Sequence, residues 1–220
     1  MALRYRAVLF DLDGTLVDSC EDIIGAVHQG LGAVGISDPP DREDIVGLIG
    51  QPIEQLPQGL GYHLTLEQVQ QFTRAFRDYY AQHHQDHVRV YPHVVAVLER
   101  LRAGGVKTGL VTTKRQDQAE AVARTTGLAP LIDHIHGWTE GRYHKPRPEP
   151  LLQTLAALGA VPTDALMVGD SELDILAARA AGLDCCAVAY GYRPVPYLYS
   201  FSPDYLIGDL RDLVPIVIDT

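Results

Sequence analysis

Two aspartates one residue apart follow an apolar run near the start of the chain, in Val8-Leu-Phe-Asp-Leu-Asp-Gly-Thr-Leu16. A carboxylate is a competent nucleophile toward phosphorus once the charge on the phosphoryl oxygens is neutralised. Asp11 would attack and become an aspartyl-phosphate. Asp13 could protonate the leaving oxygen and later take a proton from water. The hydroxyl of Thr112, with the N–H groups beside it, could hold phosphoryl oxygens. Lys145, in His144-Lys-Pro-Arg-Pro-Glu-Pro150, could supply positive charge to Asp11 and the transferring group. Asp170 and Asp174 lie in Val168-Gly-Asp-Ser-Glu-Leu-Asp174. Carboxylates that converge repel one another, and a hard divalent cation removes that cost. An oxygen-only ligand set points to Mg²⁺. Each feature also has a plainer reading: an Asx turn at Asp11–Gly14, a helix N-cap at Asp170-Ser171, a solvated lysine before proline.

The argument for chemistry is where these residues fall. Short apolar runs at Arg6–Phe10, Val106–Thr112, Ala165–Val168, Cys185–Ala189 and Tyr205–Ile207 read as buried parallel strands. Helical spacing fills the intervals at Val94–Leu101, Gln116–Thr126, Glu149–Leu158 and Leu173–Ala181. Gly104-Gly105, Gly127, Gly159 and Gly182 stand where C-terminal caps belong. Alternation of this kind means an α/β fold with a doubly wound, mainly parallel sheet, whose ligands bind at the carboxyl ends of the strands. Asp11, Asp13, Thr112, Asp170 and Asp174 all fall at or just past such ends, and Lys145 lies in a loop before a helix. From about Thr15 to Tyr91 the rhythm breaks: no strand is expected, and Asp18–Val34 and Thr65–His83 have helical periodicity.

With 220 residues, 46% apolar and 21% charged, the chain can bury a core as one large domain or one domain with an insertion. A net charge of -10 argues against nucleic acid and anionic membranes as partners. The N-terminus resembles neither a signal peptide nor a membrane span, so a cytoplasmic protein is expected. Cys20, Cys185 and Cys186 read as small core residues in a reducing compartment. His83 and His87, at i and i+4, with His84 beside them, could be metal ligands. Lacking a supporting Glu or Cys, they read as a solvated helix end.

Four segments together resemble the haloacid dehalogenase superfamily in its phosphatase form: Asp11-Leu-Asp13-Gly-Thr, Leu110-Val-Thr112-Thr-Lys, Lys145-Pro-Arg-Pro-Glu-Pro150, and Val168-Gly-Asp170-Ser-Glu-Leu-Asp174. The resemblance implies that Asp11 is nucleophile and metal ligand, and that Asp13 is acid/base and binds metal through its backbone carbonyl. It implies that Asp170 completes the Mg²⁺ site, Asp174 positions Lys145 or a metal-bound water, and Ser171 and Thr113 support the site. It makes residues 16–87 a small helical cap of the C1 kind and residues 1–15 plus 88–220 the catalytic core, with hinges near 15–18 and 85–92. No catalytic position is missing, against a non-catalytic relative. The second aspartate, Asp13, favours phosphoryl transfer over dehalogenation. The only lysines, Lys107, Lys114 and Lys145, lie outside the cap, against Schiff-base chemistry there.

Asp18-Ser19, Asp22-Ile23, Ile49-Gly-Gln-Pro52 and the closing segment Pro203–Leu213 are most similar to the phosphoglycolate phosphatase group. A small phosphorylated metabolite is the expected partner, with pyrophosphate hydrolysis and hexose-phosphate transfer as alternatives, in a monomer or homodimer. In the cap, Gln51, Arg74, Arg77 and Arg42 are candidates for the leaving group. Arg74 and Arg77 would share a helix face. Two departures stand out. Thr113 follows Thr112 where Asn is common. His93 follows Tyr91-Pro92 where Gly is common, and is expected to cap the next helix.

Overall fold

The computed structural model of the chain describes residues 2–218. Contacts divide it into two units. One holds the chain up to Asp18 and from Val90 onward; the other is Ser19–Arg89. The chain passes between the units at Asp18–Ser19 and Arg89–Val90.

The larger unit begins with β1 (Ala7–Phe10), whose four residues are all buried. Burying a residue such as Leu9 or Phe10 contributes about 1.5–3 kcal/mol. In the smaller unit α1 (Cys20–Ala33) and α2 (Leu66–His83) are the two long helices. α2 starts with a capping box: Gln68 N–H donates to Thr65 Oγ1 at 3.3 Å, and Thr65 N–H to Gln68 Oε1 at 3.0 Å. Short helices at Arg42–Val46 and Leu56–Gly59 lie between them. Two-residue strands, Val17–Asp18 and Arg89–Val90, lie at either end of the segment expected to lack strands.

The larger unit resumes with α3 (Val94–Ala103), β2 (Lys107–Arg115), α4 (Gln116–Thr125), β3 (His134–Trp138), α5 (Glu149–Leu158), β4 (Ala165–Gly169), α6 (Glu172–Ala181), β5 (Asp184–Val188) and β6 (Tyr205–Ile207). The six strands form one parallel sheet in the order β3-β2-β1-β4-β5-β6. The chain builds outward from β1 on one side, then returns to build outward on the other. That makes β1 the switch point, where an α/β sheet opens a crevice at its carboxyl edge. Phe10 pairs with Leu110 on β2 and Val168 on β4, so Asp11, Thr112 and Asp170 emerge at one level. One face of the sheet packs Leu9, Val111 and Met167 against Leu151, Leu155, Ile175 and Ala178.

Besides the two short strands at Val17–Asp18 and Arg89–Val90, the sequence expectations and the structure differ in four places. β3 was not expected; its His-Ile-His-Gly-Trp lacks a clean apolar run because it is an edge strand, only partly buried. β2 continues past Thr112 to Arg115. His83 and His87 do not share a helix face, since α2 ends at His83. His83 Nδ1 lies 2.7 Å from Asp86 and His87 Nδ1 2.8 Å from the buried Asp22. His93 occupies the N-cap position of α3, but no side-chain bond caps the helix. Its backbone is left-handed at φ 68°, which costs a non-glycine residue about 1 kcal/mol, and its Nε2 lies 3.8 Å from Asp209. All three cysteines are buried, and none forms a disulfide among the described residues. No helix among the described residues is long and apolar enough to cross a membrane.

Candidate active site

The carboxyl edge beside β1 gathers the charged residues. Asp11 is the first residue beyond β1, and its N–H donates to Val168 O at 2.9 Å, which fixes the backbone as it leaves the sheet. Its Oδ1 accepts from Leu12 N–H at 2.7 Å and lies 2.9 Å from Lys145 Nζ. The same ammonium donates to Asp174 Oδ1 at 2.6 Å. Lys145 and Asp174 are fully enclosed, with side chains 1% and 0% exposed. Asp174 is held from its other side: Oδ2 accepts from Ser171 Oγ at 2.7 Å and Ser171 N–H at 3.1 Å. Ser171 is therefore both the N-cap of α6 and the clamp on Asp174.

Asp170 sits where backbone comes very close. Its Oδ2 accepts from Tyr192 N–H at 2.7 Å, and its Oδ1 from Thr15 Oγ1 at 3.4 Å. A Cβ placed on Gly14, whose φ is +83°, would lie 2.2 Å from Asp170 Oδ2, and one on Gly191 would lie 2.2 Å from Asp170 Cβ. Both glycines are required by that approach. Thr112 is buried at the end of the regular part of β2, and its Oγ1 accepts from Lys114 N–H at 3.1 Å. Lys114 Nζ lies 3.0 Å from Asp13 Oδ1. Thr113, between them, is partly exposed.

The electrostatics are those of carboxylates crowded together in burial. Burial, opposed by Lys145 and assisted by Asp174, pushes the Asp11 carboxyl up to about 7. Burial, followed by the charges of Asp11 and Asp174, pushes Asp170 up to about 8. Burial alone would lower Lys145, but Asp11 and Asp174 hold it well above its ordinary value. Among the described residues, Lys114 pairs with Asp13 and Lys145 with Asp11 and Asp174, so the four carboxylates outnumber the ammonium groups on them, and a divalent ion would offset the excess. One oxygen from each of Asp11, Asp170 and Asp174 lies within 4.8 Å of the others. Asp174 is already committed to Lys145 and Ser171, so Asp11 and Asp170 are the carboxylates better placed to hold an ion.

These pKa directions carry a prediction with a definite sign. A carboxyl raised in the folded state binds its proton more tightly folded than unfolded. The resulting stability is present near pH 4 and is lost as pH rises through about 7 to 8. In chelator, the thermal midpoint should fall over that range, and added magnesium should flatten the fall by offsetting the repulsion. Midpoints that ignore magnesium throughout would remove the ion from this site.

The smaller unit brings its candidates together less well. Arg77 is tied to Glu54 at 2.8 Å and Arg42 to Glu21 at 2.9 Å. Arg74 is exposed, with no ion pair among the described residues, and Gln51 is partly buried in the bend after Gly50. Arg74 and Arg77 do not act as a matched pair, because Glu54 takes one of them.

Several residues of the site had no assigned role in the sequence. Tyr190, Gly191, Tyr192 and Arg193 form the loop after β5. Tyr190 hydroxyl donates to Thr15 O at 2.9 Å, Tyr192 hydroxyl to Asp18 at 3.2 Å, and Arg193 pairs with Glu172 at 3.0 Å in near-complete burial. Their signal was positional: they follow a strand and so lie on the same carboxyl edge. Lys114 was the other omission.

Residues 8–188 match the family described as haloacid dehalogenase-like hydrolase. The chain is 32% identical to the pyrophosphatase PpaX of Bacillus velezensis over 213 residues, 97% of this chain and 96% of the relative. It is 30% identical to the pyrophosphatase PpaX of Oceanobacillus iheyensis over 218 residues, 99% of each. It is similar in structure to a Haemophilus somnus protein described as a predicted phosphoglycolate phosphatase. That pair shares 28% identity and a TM-score of 0.89, covering 98% of this chain and 99% of the other.

Proposed function

Since the chain belongs to the haloacid dehalogenase-like hydrolases and is a hydrolase of phosphatase type, we propose that it is a cytoplasmic, magnesium-dependent enzyme that cleaves a small phosphate monoester resembling phosphoglycolate, as a monomer or homodimer. The observation that carries this reading is the line Asp11–Lys145–Asp174, with Asp170 beside it, at one strand edge. Asp11 is the nucleophile. Lys145 keeps it ionised and aimed, and Asp174 holds Lys145. Thr112 receives a phosphoryl oxygen. Asp13 gives a proton to the departing alcohol and takes one from the water that cleaves the aspartyl-phosphate. Asp11, Asp170 and the backbone carbonyl of Asp13 would hold magnesium, which when bound neutralises the phosphoryl oxygens. Residues 16–87 act as the cap that excludes water in the first step and readmits it for the second. Gln51 and Arg74 are the residues of that cap available to a small anion.

Pyrophosphate is the second reading, favoured by the names of the two relatives that match along nearly the whole chain. The core chemistry is unchanged, with phosphate as the leaving group in place of an alcohol. A panel of phosphoglycolate, pyrophosphate and hexose phosphates, assayed with and without magnesium, tests both. The expected result is magnesium-dependent phosphate release with kcat/KM highest for phosphoglycolate. A maximum at pyrophosphate selects the second reading. Conversion of a hexose 1-phosphate without free phosphate would overturn hydrolysis.

A further inference from the structure

β2 loses its regular pairing where the site begins. Val111 pairs with His136, and the next pair is Arg115 with Trp138, so four steps along β2 match two along β3. Such an irregularity re-aims side chains and recurs beside active sites. Thr112, Thr113 and Lys114 lie within it. Lys114 then touches two parts of the site at once, by its N–H to Thr112 Oγ1 at 3.1 Å and by its Nζ to Asp13 Oδ1 at 3.0 Å. Both charged side chains are largely enclosed, Lys114 at 5% and Asp13 at 12% exposure. The chain has only three lysines against fifteen arginines, and two of the three lie on these carboxylates. A compact ammonium offers its charge to one oxygen, whereas a planar guanidinium keeps the charge but spreads its donors over a fork and holds a single oxygen less well.

We propose that Lys114 is a positioning residue that fixes the Asp13 carboxyl for proton transfer and keeps it in step with Thr112. This rests on the phosphatase reading above. In the first half-reaction a bond forms from an Asp11 oxygen to phosphorus. The phosphorus–oxygen bond to the leaving group breaks with its electron pair on that oxygen, which takes the proton of Asp13. In the second, water attacks phosphorus, its proton goes to Asp13, and the bond to Asp11 breaks. Lys114 gives and receives nothing in either step. It sets where the Asp13 oxygen stands, and a misplaced acid harms only a leaving group that needs a proton.

The test compares kcat/KM of the full chain with magnesium on p-nitrophenyl phosphate, whose phenolate departs unprotonated, and on an alkyl phosphate. Lys114→Met should lower the alkyl value about tenfold, a part of the 10²–10⁴ that general acid catalysis supplies, and leave the aryl value within about twofold. Lys114→Arg should recover part of the alkyl loss. Lys114→Gln, which keeps a polar head in the gap, is read in the same way if the Met variant does not fold. Equal losses on both substrates, or none on either, overturn the proposal. A wild-type chain inert towards both removes the phosphatase reading and this inference with it; an active wild type with unselective variants removes this inference alone.

Discussion

Asp11→Asn should fold normally and lose at least about 10³-fold in kcat on every phosphate substrate, a barrier increase of at least about 4 kcal/mol. The substitution changes no shape. Asn keeps an oxygen that can accept from Leu12 N–H, and the backbone bond from Asp11 N–H to Val168 O is untouched. What it removes is the nucleophilic oxygen and one of the two carboxylates proposed to hold the ion. Because burial already pushes Asp11 up to about 7, the neutral side chain should not destabilise the chelated protein at neutral pH. Loss of turnover with an unchanged or higher thermal midpoint separates a missing nucleophile from a damaged fold. A single-turnover measurement should find no phosphorylated enzyme. Wild-type turnover in this variant would end the proposal that Asp11 attacks phosphorus.

The outcome depends on features that differ in how well the sequence shows them. Asp11, Asp170 and Thr112 were legible because a buried parallel strand leaves a continuous apolar run, and the residue that breaks it marks the carboxyl edge. α5 was read to the residue and α6 within one, because Gly159 and Gly182 stop them in left-handed caps. β3 was not legible, since an edge strand facing solvent on one side has no need of an apolar run. Lys114 escaped for a different reason. Its role depends on an irregularity between β2 and β3, and pairing between strands more than twenty residues apart leaves no local trace. The loop Tyr190–Arg193 escaped because its work is done by a backbone N–H and by the lack of a side chain at Gly191. The candidates at residues 42, 51, 74 and 77 were the weakest expectations. Whether a surface arginine is available depends on which acid lies near it in space, and Glu54 and Glu21 each claim one.

Lys145→Met should be the most destabilising single change in the site. Lys145 is 2% exposed, and its ammonium joins Asp11 at 2.9 Å and Asp174 at 2.6 Å. Met fills a similar volume, so the cost is electrostatic. Removing one partner of a buried ionic cluster typically costs about 3–5 kcal/mol, because the remaining charges are left facing each other without compensation. For a chain of this length that corresponds to a fall in thermal midpoint of roughly 6–20 °C. The fall should be smaller at mildly acid pH, where Asp11, already pushed up to about 7 by burial, protonates and relieves the repulsion. Turnover should drop about 10²-fold or more, since the nucleophile loses the charge that keeps it ionised and aimed. The double variant Lys145→Met with Asp174→Asn divides the two effects. Asn retains an acceptor for Ser171 while removing one of the opposed charges, so stability should return in large part. Activity should not return, because nothing replaces the ammonium beside Asp11. If the single variant melts at the wild-type temperature near neutral pH, the Asp11–Lys145–Asp174 line does not hold the site together. If the double variant regains turnover together with stability, Lys145 is a structural counter-ion and has no part in the reaction.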